Sequence, residues 1–281
     1  MLLDCHLHST CSDGSYTPEQ LAFVYSQLGY SFVVLTDHDT VAGLRPFAQT
    51  LRQYGVKTTT GVEITANFHG GELHILAYRI DTENTSLLEL LEQIQAARIE
   101  RAHEILSMLE KLGYPLTIEE VKLHMTGQVL GRPHIAKAMV TRGYIKTVRD
   151  AFTPDFLADQ GKAFVPPSGP EADKVIKTIK QAGGIAVLAH PGIFVDENGR
   201  MGITSKQFIE LCDMGIDGVE VFHPKHSSND IWEYLRLCRE FGLFVSCGSD
   251  FHEGEIVRIS GYVPSELWGE LKRCSEVLSL V

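Results

Sequence analysis

The sequence predicts an α/β fold in which strands alternate with helices around a mostly parallel sheet, interrupted once by a helical insertion. Three observations predict it. Seven short apolar runs of strand length recur along the chain. Five amphipathic stretches of helix length lie between them. One long central segment keeps a helical period and holds no strand-like run of comparable quality.

The strand-like runs are Leu2–Leu7, Phe32–Leu35, Thr58–Ile64, Leu73–Tyr78, Ile185–Ala189, Gly218–Phe222 and Leu243–Cys247. The first helix is expected over Thr17–Leu28, where a threonine cap precedes a proline in the first turn. Gly43–Tyr54, Glu171–Ala182, Ser205–Met214 and Asp230–Phe241 read as helices on the same grounds. The stretch "SLLELLEQIQAARIERAHEILSMLEKL" (86–112) contains no helix breaker, and charged, helix-rich segments follow to about Gln160. The α/β pattern resumes at "GKAFVPP". The expected division is therefore an α/β domain over residues 1–84 and 161–281, with a helical insertion over 85–160.

A chain of 281 residues with 44% apolar and 22% charged residues has a globular balance and no disorder signature. No apolar run approaches the ~20 residues of a membrane span, and "MLLDCHLH" has neither a basic leader nor a long apolar core. The expected compartment is the cytoplasm, and no membrane partner is expected. Six cysteines, at 5, 11, 212, 238, 247 and 274, form no C-x-x-C pair, so they are expected as reduced, small apolar residues. The net charge of −11 argues against a basic face that would coat DNA or other nucleic acid.

The chemistry gathers where the apolar runs end. His6 and His8 are two apart in "DCHLH" and so share one face of a strand. Asp13 follows in the next turn. "FVVLTDHDT" ends in Asp37, His38 and Asp39, and "TTTGVEI" carries Glu63 near its end. "GIAVLAHPG" ends in His190, and "LFVSCGSDFHEG" ends in Asp250 and His252. In α/β barrels the carboxyl ends of the strands meet at one face, where active sites are built. "ELHILAY" departs from the rule, because His74 begins its run, so that strand must enter from another direction. Imidazole and carboxylate without sulfur suit Mn²⁺, Fe²⁺ or Zn²⁺ in a hydrolytic site. His6, His8, Asp13, His38, Glu63, His74, His190, Asp250 and His252 are too many for one ion. At about three to four protein ligands per catalytic metal they describe two or three. Asp4, Asp37 and Asp39 are expected to orient ligand imidazoles rather than bind metal. His223, Lys225 and His226 in "EVFHPKHSS" either meet the substrate or line the rim. His69, His103 and His124 have no motif around them.

The motifs "DCHLHSTCSDGSYTPEQL", "TDHDT", "GVEI", "HILAY", "AHPG" and "GSDFH", in this order, resemble those of the PHP (polymerase and histidinol phosphatase) superfamily. The resemblance implies a distorted (β/α)₇ barrel with a trinuclear site, manganese being the first expectation and iron or zinc the alternatives. Carried over position by position, it implies one metal on His6, His8, Glu63 and Asp250. Glu63 would bridge to a second, completed by His74 and His190, and Asp13, His38 and His252 would hold the third. Glu63, His190 and Asp250 are then the residues nearest the reaction.

"ARIERAHEILSMLEKLGYPL", "GRPHIAKAMVTRGYIKTVRDAF" and "LADQGKAFVPPSG" resemble the bacterial 3′,5′-nucleoside bisphosphate phosphatase branch. That resemblance implies phosphomonoester hydrolysis at the 3′-phosphate of a 5′-phosphorylated nucleotide, or trimming of short 5′-phosphorylated RNA. It also implies that Arg98, Arg101, Arg132 and His134 bind substrate phosphate. Arg98 and Arg101 are i, i+3 neighbours on one helical face, and guanidinium forks suit phosphate oxygens. The "GRPH" turn could instead cap a helix. Another phosphoesterase of the superfamily, such as a histidinol phosphatase, is the enzymatic alternative. A metal-stabilised module without catalysis is the alternative of a different class.

Overall fold

The computed structural model describes residues 2–167 and 169–279; Met1, Ser168, Leu280 and Val281, which fall within the expected domain ranges, lie outside the described residues. The element order is β1 (Leu3–Leu7), α1 (Pro18–Gln27), β2 (Phe32–Leu35), α2 (Leu44–Gln53), β3 (Gly61–Phe68) and β4 (Gly71–Tyr78). Four helices follow: α3 (Thr85–Lys111), α4 (Ile118–Lys122), α5 (Arg132–Thr141) and α6 (Val148–Ala151). Then come α7 (Ala172–Gln181), β5 (Ile185–Leu188), α8 (Ser205–Met214), β6 (Gly218–Phe222), α9 (Ser228–Phe241), β7 (Phe244–Cys247) and α10 (Trp268–Ser279).

Helix starts follow their capping residues. Thr17 accepts from the Gln20 N–H while Gln20 returns a bond to the Thr17 N–H, and Pro18 occupies the first turn, where no donor is needed. Ser227 and Asp230 make the same reciprocal pair, which starts α9 two residues before the position expected for it.

The strands pair as two sheets, β1–β2 and β3–β4–β5–β6–β7. Pairing is parallel between β1 and β2, β5 and β6, and β6 and β7. It is antiparallel between β3 and β4 and between β4 and β5, so the expected mostly parallel sheet is mixed. The cause is local. His69 and Gly70 both have positive φ, 47° and 69°, which makes the two-residue turn that matches strand twist and folds β3 directly back onto β4. Among the described residues the strand ladders alone do not close into a ring. The two sheets meet instead through isolated bridges, His38 with Glu63 and Leu7 with Phe251. At the second seam Gly248 presses on β1, where a Cβ would stand 2.1 Å from the Cβ of His6.

The largest apolar cluster combines β3–β7 with the packed faces of α7–α10 and takes Leu87, Leu90, Leu91 and Ile94 from the first half of α3. The second half of α3 gives Ala102, Ile105, Leu106 and Leu109 to a separate cluster with residues of α4 and α5 and with Leu157, Ala163 and Val165. A 27-residue helix, about 40 Å long, therefore runs from one core to the other. Cys5, Cys247 and Cys274 come together inside the main core, with Cys5 Sγ 3.9 Å from Cys274 Sγ. They are free thiols packed among apolar side chains. Among the described residues no helix is long and apolar enough to cross a membrane.

Candidate metal centre and phosphate pocket

The ends of β1, β2, β5 and β7 and the facing strands β3 and β4 bring all nine expected ligands to one place. Glu63, fully buried, stands at the centre. Its Oε2 lies 3.1 Å from His6 Nε2, 3.2 Å from His8 Nε2 and 3.1 Å from His38 Nδ1. Its Oε1 lies 3.0 Å from both His74 Nδ1 and His190 Nε2. Asp250 Oδ1 is 3.4 Å from His8 Nε2 and 3.5 Å from His252 Nδ1. Asp13 Oδ1 is 3.3 Å from His252 Nε2 and 4.0 Å from His38 Nε2. The antiparallel course of β4 explains why His74 arrives from the start of its strand: it pairs with Thr65, two residues past Glu63.

The donor set fits divalent cations. His6 Nε2, both nitrogens of His8, His38 Nδ1, Glu63 Oε2 and Asp13 Oδ1 are buried without a hydrogen-bond partner. A native core satisfies such atoms, so several of them facing one another mark a place for ions. His6, His8, Glu63 and Asp250 present ligand atoms within 4.8 Å of one another, as do His8, Asp13, His38 and His252, and also His38, Glu63 and His74. His8, His38 and Glu63 each stand in two of these groups, and His190 joins through Glu63.

Electrostatics agree with that donor set. Burial alone would raise the Glu63 carboxyl, but His6, His74 and His38 hold it well below the usual range. Burial opposes a charge on His74, yet Glu63 and Glu72 raise its pKa to about 10. His252 also reaches about 10 against burial, through Asp13 and Asp250. Burial pushes His38 and His190 down. In the metal-free chain, protons thus do at some of these carboxylates what cations would do.

Backbone strain concentrates here. His190, Asp250 and Asp39 have φ of 24°, 54° and 48°, a region that side chains other than glycine rarely adopt. Hydrogen bonds hold all three in place: the Asp250 N–H donates to the His6 carbonyl at 3.0 Å and the Asp39 N–H to the Glu63 carbonyl at 2.9 Å, and the His190 N–H donates to Glu220 Oε2 at 2.9 Å.

Glu220 was not singled out from the sequence. It is fully buried on β6, and its Oε1 lies 3.0 Å from His6 Nδ1. One carboxylate therefore fixes the ring of one ligand and the backbone of another. The signal was an acid in the middle of "GVEVF", a run otherwise fit for a core strand. Asp4, Asp37 and Asp39, expected in that role, do other work. Asp37 accepts from the Ser9 N–H, Ser9 Oγ and Ser12 Oγ at 2.6–2.7 Å and shapes the loop after β1. Asp4 accepts from the Ser249 N–H, from Tyr25 and from the His6 N–H, so it holds the backbone of a ligand rather than an imidazole. Asp39 holds Arg98 and Thr65. All three sit where chain segments must be tied together, which adjacency to histidine in the sequence does not reveal.

A cavity of about 220 Å³ opens over the cluster. One wall carries Asp13, His38, His74, His190, Asp250 and His252, and the other carries Arg98, Arg101 and Arg132 from α3 and α5. His6, His8 and Glu63 lie beneath the surface, fully buried. None of the arginines is loose. Arg98 donates from Nε to Asp39 and from Nη2 to Thr65, both at 2.7 Å. Arg101 donates to the Val165 carbonyl at 2.9 Å and to Glu72. Arg132 donates to Asp159 at 2.9 Å.

His134 does not line this cavity: it is buried, and its Nδ1 accepts the Gly131 N–H at 3.0 Å, which caps α5. Lys225 does line it, with Nζ 3.3 Å from Asp250 Oδ2. His223 Nε2 is buried 3.6 Å from the same oxygen. His226 is held between the Val221 carbonyl and the Gly192 N–H. His69 and His124 pair with Glu210 and Thr141, and His103 is exposed, all away from the cluster.

Known proteins share this chain's pattern. Along 89% of its length, and 89% of the relative's, it is 33% identical to a protein of Haemophilus influenzae named 5′-3′ exoribonuclease. It is 28% identical to the 3′,5′-nucleoside bisphosphate phosphatase of Chromobacterium violaceum, with 96% of each chain covered. A crystal structure of a Bifidobacterium adolescentis protein assigned to the metal-dependent phosphoesterases superimposes with a TM-score of 0.86 at 28% identity, covering 99% of this chain and 96% of the other. Residues 4–186 match the PHP domain, and the chain belongs to the PHP domain family.

Proposed function

We propose that this hydrolase of phosphate esters removes the 3′-phosphate from nucleoside 3′,5′-bisphosphates and leaves the 5′-monophosphate. The observation that carries the reading is the two-walled cavity. Metal-type ligands from the strand side and three arginines from α3 and α5 line one cavity, which suits a substrate with two phosphates. Two or three divalent ions, manganese first, are the expected cofactors, on His6, His8, Asp13, His38, Glu63, His74, His190, Asp250 and His252. In this reading the two bridged sheets form a distorted (β/α)₇ barrel, and residues 85–160 are an inserted substrate-binding subdomain.

When bound, such ions supply Lewis acidity at the phosphoryl oxygens and lower the pKa of a water toward neutrality. The chain's own groups do the positioning. Glu220 orients the His6 ring and the His190 backbone. Arg98 and Arg132, held by Asp39 and Asp159, present pre-set donors to the remote phosphate, so binding it costs little reorganisation. Lys225 adds a cation at the rim. The buried His134 supports this wall by capping α5.

A second reading has its own support, since the Haemophilus influenzae relative is named an exoribonuclease. A short RNA bearing a 5′-phosphate would offer the arginines the same group and place a diester at the ligand cluster. The test is phosphate release from adenosine 3′,5′-bisphosphate by metal-replenished protein, with adenosine 5′-monophosphate as the product. Turnover of a short 5′-phosphorylated RNA, with no release from the bisphosphate, would favour the second reading. No turnover of either would return the chain to a metal-stabilised module.

A further inference from the structure

Among the arginines stands an acid that touches both halves of the site. Glu72, on β4 two residues ahead of His74, keeps only 15% of its side chain exposed. One carboxylate oxygen accepts from Arg101 Nη1. The other lies 3.4 Å from His74 Nε2, a charge contact without hydrogen-bond alignment, and 3.6 Å from Arg132 Nη2. His74 turns its second ring nitrogen, Nδ1, to Glu63. Arg101 commits Nε to the Val165 carbonyl, so beside Glu72 only its Nη2 is left over. That atom is buried and has no protein partner.

We infer that Glu72 is a positioning and specificity residue, one that fixes the His74 ring for the ligand cluster while withholding part of the arginine charge from incoming anions. The inference rests on the reading of the arginines as a phosphate grip. A carboxylate on the far nitrogen of a ligand imidazole sets its tautomer and orientation and raises its basicity. The same carboxylate, set against Arg101 and Arg132, repels an approaching dianion and competes with it for their N–H groups. Arg101 then offers one directed donor in place of an open fork. An anion that reaches only the arginines gains little. A molecule long enough to reach the ligand cluster as well gains from both walls. Glu72 in this way disfavours free inorganic anions at a seat meant for the remote phosphate of a longer substrate.

The two duties respond in opposite directions when the charge is removed, which separates them from general damage. Glu72→Gln keeps the shape and a bond to Arg101 but loses the charge. Sulfate serves as the probe, because it is a dianion that no phosphatase step consumes. Calorimetry on the full chain under saturating manganese should show sulfate binding about tenfold tighter in the variant. Dialysis followed by elemental analysis should show manganese held roughly tenfold more weakly. Weakening of both would mean that Glu72 only supports local packing, and the inference fails. A change in one without the other, or in neither, breaks the proposed double role and overturns it too. Neither readout involves a nucleotide or turnover. A wild-type protein without bisphosphate preference would therefore refute the proposed substrate without deciding this result.

Discussion

Glu220 Oε1 stands 3.0 Å from His6 Nδ1, and this contact turns His6 Nε2 toward Glu63, 3.1 Å away. Neither group reaches solvent. The pair sets which nitrogen of His6 is available to a cation, and the other oxygen of Glu220 anchors the strained backbone of His190. Changing Glu220 to Gln keeps the volume and removes the charge. Manganese affinity should fall roughly 10–100-fold, read by competition with a metal-sensitive dye. Unchanged affinity would mean that the carboxylate serves the fold alone.

Glu63 faces five imidazoles, so it is the group most shared among the prospective ions. Glu63→Gln should lower metal occupancy and turnover together while the far-ultraviolet dichroism stays that of the wild type. Elemental analysis of metal-replete wild-type protein should give two or three ions per chain. One ion or fewer at full activity would refute a multinuclear site.

The sign of the pH dependence follows from His74 and His252, each raised to about 10 in the metal-free chain. Their unfolded value is about 6.5. Protonation thus stabilises the metal-free fold fully below about 6.5, and that contribution is lost as pH rises through about 10. A bound cation must displace those protons, so manganese affinity should climb with pH across the neutral range. Calorimetry at pH 8 in buffers of different ionisation enthalpy should show release of two or more protons per chain, because, against burial, Glu63 and Glu220 also hold His6 well above its ordinary range. Binding without proton release would contradict the assigned contacts.

Much of the site was legible in the sequence because imidazoles and carboxylates at strand ends have few structural uses. What escaped was set by chain direction and tertiary pairing. "NFHGGEL" holds the turn that reverses β4, but its two positive-φ residues are evident only once strands on both sides are in register. Glu72 stands just ahead of one apolar run and Glu220 inside another, where an acid reads as a strand's solvent face. Burial against Arg101 and His6 gives them their roles, and those partners are distant in sequence. His134 was drawn toward substrate by its place beside Arg132. Its Nδ1 instead meets the local need of a helix start for an acceptor.

Arg98 is the arginine whose removal separates grip from chemistry. It donates to buried Asp39, which keeps its bonds from Thr65 when Arg98 is lost. Arg98→Ala should cost stability, seen as a lower Tm, because a buried carboxylate loses its cation. Hydrolysis of a generic aryl phosphate should stay near the wild-type rate at a temperature where the variant is folded. Its kcat/KM on adenosine 3′,5′-bisphosphate should fall about 10–100-fold, as expected for one charge-assisted contact of ~1.5–3 kcal/mol. An equal loss on both substrates would place Arg98 in support of the ligand cluster instead.

The most direct test compares two nucleotides on the wild-type protein. With manganese supplied, kcat/KM for adenosine 3′,5′-bisphosphate should exceed that for adenosine 3′-monophosphate by about 10–100-fold or more, since only the former offers the arginines a 5′-phosphate. Equal values would contradict the account, because a cavity whose second wall contributes nothing to the reaction is not a bisphosphate site.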